Sequence, residues 1–148
     1  MQTKYKNETS GRSMVEIIGA LAVMSLISAA AVVLVRMGSE SQKRSRIFDD
    51  VMTIAENVRG MYPDDFGLLD TNADKNQELV TALGFTTTPF GAGTKYSIAR
   101  PTKGTDKFYV MISGLSEDDC MILSKQTWPG GDGACDEDSV VLTVTFGK

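Results

Sequence analysis

The stretch IIGALAVMSLISAAAVVLV, residues 17–35, contains 19 residues and no charge. As an α-helix rising about 1.5 Å per residue, it would be about 28 Å long, close to the bilayer hydrocarbon thickness of about 30 Å. A helix buried inside a soluble domain and a removable secretory signal are the two alternatives. The rest of the chain is too short to surround such a helix, and the apolar core of a secretory signal has only about 7 to 15 residues. We therefore expect residues 14–36 to form a transmembrane helix that stays on the mature protein.

A second apolar pattern follows in residues 39–62. Five apolar residues recur there at steps of four, three, four and three, which places them on one face of a helix: Ile47, Val51, Ile54, Val58 and Met61. Gly38 is the weak point between the two patterns, and Pro63 stops the second. The sequence thus predicts one long helix over residues 12–62, with a membrane half and an amphipathic half.

Acidic residues are concentrated after the predicted helix, although the whole chain has a net charge of only −4. Residues 63–148 contain thirteen acidic and seven basic residues, a balance that disfavours direct binding of nucleic acid. The chain has no histidine, which removes the side chain best suited to proton transfer near neutral pH. No nucleophile paired with a base is visible. We expect no enzyme activity.

Short, mixed signals in residues 63–148 predict a small α+β head domain. Strand character occurs at residues 96–99, 108–113 and 140–146, and the first two strands are expected to form a hairpin. A short helix is predicted at residues 76–83, closed by Gly84. A second is predicted to begin at Ser116, with Asp119 as its capping partner, and to turn three side chains inward: Cys120, Ile122 and Leu123. The predicted fold is therefore a long helix packed on a small antiparallel sheet.

The two cysteines are Cys120 and Cys135. They are compatible with two buried thiols, a redox couple or a disulfide, and two cysteines without histidine are too few for a zinc site. A disulfide is favoured if the domain is exported. It would join the helix that begins at Ser116 to the loop before the last strand.

Glu16 lies at the start of the apolar run. A carboxylate in or near hydrocarbon is costly, which makes it a candidate functional residue. The alternative is a charge at headgroup level that also favours the positive N-terminus of the helix. The residues before and after Glu16 favour the functional interpretation.

GRSMVEIIGALAVMSLIS, residues 11–28, resembles the N-terminus of type IV pilins and of the pseudopilins of type II secretion. The resemblance implies that residues 1–11 are a leader and that prepilin peptidase cuts between Gly11 and Arg12, where the new terminus is also methylated. Glu16 would then be the fifth residue of the mature chain and would neutralise the terminal amine of a neighbouring subunit. Arg12 departs from the family pattern, in which an apolar residue is usual.

The resemblance also implies what the protein does. It would be a structural subunit that inserts in the inner membrane, is handled by an inner-membrane assembly platform and polymerises with copies of itself into an extracellular pilus or fimbrium. A C-terminal disulfide, here Cys120 with Cys135, would close a surface loop, and the pattern is closest to type IVb pilins, including thin-pilus conjugative ones. Adhesion, motility, conjugation and secretion all remain open. The alternatives are a minor pilin or pseudopilin and a bitopic membrane protein with a periplasmic binding domain.

Two charged segments have competing interpretations. The basic cluster Lys43, Arg44 and Arg46 is expected to be a solvated face, the alternative being a pairing with the acidic head of the next subunit.

Oxygen-bearing residues at alternate positions from Asp70 to Glu78 are similar to a calcium loop, but Lys75 and Thr81 stand where that loop needs glycine and glutamate. No metal or cofactor is expected; calcium stays a minor possibility at four late residues, Asp132, Asp136, Glu137 and Asp138.

Overall fold

The computed structural model describes residues 10–147, with side chains from Met14 onward. It begins with one helix, α1 (Ser10–Met61), which confirms the prediction of a single long helix and continues through Gly38. The chain divides between Ser41 and Gln42 into two compact units, so α1 contributes to both. Most of the predicted leader, residues 1–9, lies outside the described residues.

Four antiparallel strands form the sheet of the second unit. They are β1 (Lys95–Ala99), β2 (Lys107–Ser113), β3 (Gly131–Asp136) and β4 (Val141–Gly147), and their order across the sheet is β1-β2-β4-β3. β1 and β2 form the predicted hairpin, with Ile98 opposite Val110. The three predicted strands are confirmed within a residue. Val140, included in the last prediction, lies outside β4 because its φ of 49° belongs to a turn.

Two short helices accompany the sheet. A 3-10 turn (Ala73–Asn76) leads into α2 (Gln77–Ala82), and the positive φ of 89° at Gly84 follows it, as predicted. The other helix is α3 (Glu117–Ser124), where the Oγ of the N-cap Ser116 accepts a hydrogen bond from the N–H of Asp119. This is the predicted capping arrangement, and it fixes where α3 begins.

The second part of α1 supplies one side of the core. The side chains of Ile47, Val51, Ile54 and Val58 are fully buried, which confirms four of the five positions of the predicted stripe. The fifth, Met61, is 45% exposed, because α1 ends at that residue. Inward-facing strand residues complete the core, in which Phe108 packs between Phe66 and Phe146.

Strand β3 was not predicted. Its sequence, GDGACD, contains two glycines, a residue type that is depleted in strands. A Cβ on Gly131 would lie 2.7 Å from the ring of Phe146, and one on Gly133 would lie 2.5 Å from Nε1 of Trp128. Glycine is therefore required in this strand because aromatic side chains approach its backbone.

Candidate assembly segment

Residues 14–37 of α1 form the candidate assembly segment. Fourteen large apolar side chains in this range are between 53% and 72% exposed, and the helix is long and apolar enough to cross a membrane, with a mean hydropathy of 2.6 in its most apolar window. Its two hydroxyls need no outside partner, since Ser25 donates to the carbonyl of Ala22 and Ser28 to that of Met24. The segment thus offers solvent an almost purely apolar surface.

Glu16 is the one acidic residue within this segment. Its side chain is exposed and lies among exposed Met14, Val15 and Ile17. Because α1 begins at Ser10 and has no acidic residue in its first turn, Glu16 lies beyond the turn in which the helix dipole is strongest. A favourable charge–dipole interaction in the uncut chain therefore does not explain its position.

Gly11 and Arg12 belong to the first turn of α1. The side chain of Arg12, and the leader before Ser10, lie outside the described part of the chain. Cleavage between these two residues and methylation of Arg12 stay predictions.

The disulfide between Cys120 and Cys135 is present. It joins the first half of α3 to strand β3, with 5.7 Å between the two Cα atoms, so the prediction of a loop as the second attachment point is corrected to a strand. Cys120 and Leu123 are fully buried as expected, whereas Ile122 is 48% exposed. An eight-residue helix buries only one face, and Ile122 faces away from the sheet.

One residue of the basic cluster is bound by the head of its own chain. Nε of Arg44 lies 2.7 Å from Oδ1 of Asp119, and Oδ2 of the same carboxylate accepts a hydrogen bond of 2.6 Å from Oγ of Ser116. Asp119 is buried, so the ion pair is shielded from solvent and stronger than a fully exposed one. The interpretation of this cluster as a wholly solvated face is therefore wrong for Arg44.

Two further cations of α1, Lys43 of the same cluster and Arg59, contact aromatic rings of the head. Nζ of Lys43 lies 5.6 Å from the ring centroid of Phe90, and Cζ of Arg59 lies 5.4 Å from that of Phe146. Nη2 of Arg59 also donates to the carbonyls of Gly130 and Gly147 at 3.0 Å. Residues 42–61 are thus fastened to the sheet by polar contacts in addition to the apolar stripe.

A buried phenol completes this attachment. The hydroxyl of Tyr96 donates to Oδ2 of Asp50 at 2.7 Å, while the ring packs at a right angle to Phe85. Burial, and secondarily the neighbouring carboxylate, raises the pKa of Tyr96 well above its ordinary value. Sequence reasoning missed this pair, as it missed Arg44 with Asp119, because partners 46 and 75 residues apart leave no periodic signal.

Two of the residues considered for calcium, Asp136 and Asp70, are held by hydrogen bonds within their own turns. The carboxylate of Asp136 accepts hydrogen bonds from Oγ of Ser139 and from the N–H of Asp138, contacts that lower its pKa. Asp70 accepts from the N–H of Asn72 and lies 3.2 Å from Nζ of Lys75, which also lowers its pKa. Among residues 10–147 no three His, Cys, Asp or Glu side chains are grouped as a metal site would require.

No protein-family model matches the chain, and no curated protein or solved structure matches it either. Its function must therefore be inferred from its own residues.

Proposed function

We propose that this chain is the structural subunit of a type IV pilus-like filament. In this proposal prepilin peptidase removes residues 1–11, the mature chain rests in the inner membrane by its apolar segment, and an inner-membrane assembly platform extracts it into an extracellular helical homopolymer. The chain would have no enzymatic activity, and its chemistry would be confined to assembly.

The observation that carries the proposal is the exposed surface of residues 14–37. Fully burying one Val, Leu or Ile side chain is worth about 1.5 to 3 kcal/mol, so fourteen partly exposed ones represent a cost on the order of 20 kcal/mol in water. A bilayer removes that cost before assembly, and parallel copies of the same helix would remove it in a filament. A segment that only anchored an independent domain would need no carboxylate at its start.

Glu16 supports the filament over a simple anchor. In the cut chain the α-amine of Arg12 would be the only positive terminus near the apolar surface, and a carboxylate four residues further on would lie one helical turn away from it. A charge left alone in an apolar filament core is heavily penalised, whereas an amine and a carboxylate from neighbouring copies compensate each other. Glu16 would thereby set the axial register of each added subunit.

The second unit supports the proposal in a different way. Residues 42–61 are fixed to the sheet by buried apolar contacts, by Arg44 with Asp119 and by Arg59, and α3 is cross-linked to β3. A subunit that is pulled from a membrane into a polymer must transmit force without unfolding. These attachments suit that task and leave the apolar segment available for other copies.

A Glu16→Ala variant tests the proposal in cells that assemble the wild-type chain. We expect a loss of polymer of at least tenfold in sheared surface material, with unchanged amounts of the chain in the membrane, because the mature amine loses its partner. Glu40→Ala, which removes a carboxylate from the same helix beyond the apolar segment, is the matched control. Normal polymer from Glu16→Ala would favour a bitopic membrane protein with a periplasmic binding domain.

A further inference from the structure

A groove lies where α1 ends. Its volume is about 350 Å³, and it is lined by Met61, Tyr62, Pro63, Asp64, Asp65 and Leu68. The side chain of Leu68 is 84% exposed and that of Met61 45%. This surface, which we call the helix-end groove, thus combines uncovered apolar groups with two carboxylates.

The two carboxylates differ in their availability. Oδ1 of Asp65 accepts a hydrogen bond of 2.7 Å from the N–H of Gly67, which fixes it within its own turn. Asp64 is exposed and has no hydrogen-bond or ion-pair partner among the residues that the structure describes. The turn itself is held in place, because the N–H of Phe66 donates to the carbonyl of Thr105 and the ring of Phe66 is buried. The groove is therefore a firm surface with an anion that lacks a counterion.

A surface of matching chemistry lies on α1. A shallow depression of about 340 Å³ is lined by Ala31, Val32, Val35 and Arg36, and we call it the α1 furrow. Val35 is 72% exposed, and Arg36, like Asp64, has no partner among residues 10–147. The furrow offers apolar side chains beside one cation, where the helix-end groove offers apolar side chains beside an anion.

We propose that the α1 furrow of one copy docks in the helix-end groove of a second copy, with Arg36 beside Asp64 and Val35 against Leu68. This contact rests on the proposed filament, in which it would join the apolar segment of one subunit to the head of another. It buries apolar surface that neither compact unit covers by itself, and it pairs two charges whose desolvation would otherwise oppose the contact.

Other cations fit the groove less well. Arg44 is committed to Asp119 and Lys43 to the ring of Phe90. Arg46 is exposed but borders a cleft whose other lining residues are mostly polar, including Asp50 and Thr87. Among the cations that α1 carries from Met14 onward, Arg36 is the one that adjoins exposed apolar side chains on the same helix face. Lipid phosphate would bind Arg36 in the unassembled chain, and the experiments below separate that role from the contact between copies.

Cysteine cross-linking tests the contact directly. In sheared polymer of a Val35→Cys, Leu68→Cys chain, a short bis-maleimide is expected to give covalent dimers and higher ladders. The matched control is Leu26→Cys, Leu68→Cys, since Leu26 and Val35 are equally exposed at 72%. We expect at least tenfold more cross-linked product from the first pair. Equal yields from the two pairs, with both cysteines reactive in dissociated subunits, would overturn the contact.

Charge exchange supplies an independent test. Arg36→Asp and Asp64→Arg should each lower the amount of sheared polymer about tenfold, and the double variant should recover it to within about threefold, because only the double variant restores opposite charges. Emission of the single tryptophan, Trp128, verifies that the head is folded in each variant. Full assembly by Asp64→Arg would exclude the contact.

The outcomes distinguish this inference from the proposed function. If polymer forms without the Val35–Leu68 cross-link and tolerates charge reversal, the contact is excluded and the filament hypothesis is unaffected. A defect confined to Arg36→Asp, with reduced membrane insertion and no rescue by Asp64→Arg, assigns Arg36 to lipid phosphate and also excludes the contact. A wild-type chain that never polymerises overturns both.

Discussion

The two parts of α1 have similar apolar residues but differ in how far those residues are buried. Ile54, in the second part, is fully buried against the sheet, whereas Ile27, in the first, is 63% exposed. Helical propensity does not explain the difference, because both residues lie within the same helix. What differs is the presence of a partner: the sheet of the second unit covers the later stripe, whereas the large apolar side chains of the earlier part are more than half exposed. The first part therefore needs a partner outside the chain, a bilayer or other copies.

Truncation of the two isoleucines should show this difference most strongly. Ile54→Ala removes buried methyl groups and leaves a cavity, and we expect a loss of about 4 kcal/mol in the free energy of unfolding of the head. Ile27→Ala should change it by less than about 0.5 kcal/mol. Urea unfolding of the full chain in detergent micelles, followed by emission of buried Trp128, measures both. Equal effects would mean that the two parts of α1 unfold as one cooperative unit.

Reduction of the Cys120–Cys135 disulfide should destabilise the head without affecting the helix of the apolar segment. The bond spans 15 residues, and opening a loop of that size costs about 3 kcal/mol in the chain-entropy model. We expect thiol reductant to lower the urea midpoint of Trp128 emission while the helical circular dichroism of the micelle-bound segment persists. Simultaneous loss of both signals at the lower midpoint would contradict the division into two units.

Tyr96 should give the smallest effect, and one confined to the head. Its pKa is raised in the fold from an ordinary value of 10.0, so its contribution to stability is complete below pH 10 and is lost above it, where the unfolded chain ionises first. Above pH 10 the free energy of unfolding of the wild type should fall by up to about 1.4 kcal/mol per pH unit because of Tyr96. The Tyr96→Phe variant should lack this part of the decline. Parallel pH profiles of wild type and variant between pH 8 and 11 would contradict this account.

The helices and strands that the sequence predicted are those with a signal in neighbouring residues. The apolar run, the stripe from Ile47 to Val58 and the cap at Ser116 follow from residue spacing, and strands β1, β2 and β4 follow from their residue types. The four fully buried positions of the stripe show that a helical period reports burial correctly when a sheet is available to cover it.

Contacts between distant residues account for what the sequence did not predict. Strand β3 was missed because its glycines are required by the rings of Phe146 and Trp128, which are close in space and not in sequence. The same reason applies to the pairing of Arg44 with Asp119. Ile122 was placed inward because α3 is too short for a periodic pattern to define its buried face.

The mass and N-terminal sequence of the chain in sheared surface material from cells that produce it test the filament hypothesis most directly. The account predicts a polymer of chains that begin at Arg12, with a methylated amine. An uncut chain that still contains residues 1–11 and is recovered only from the membrane would contradict it.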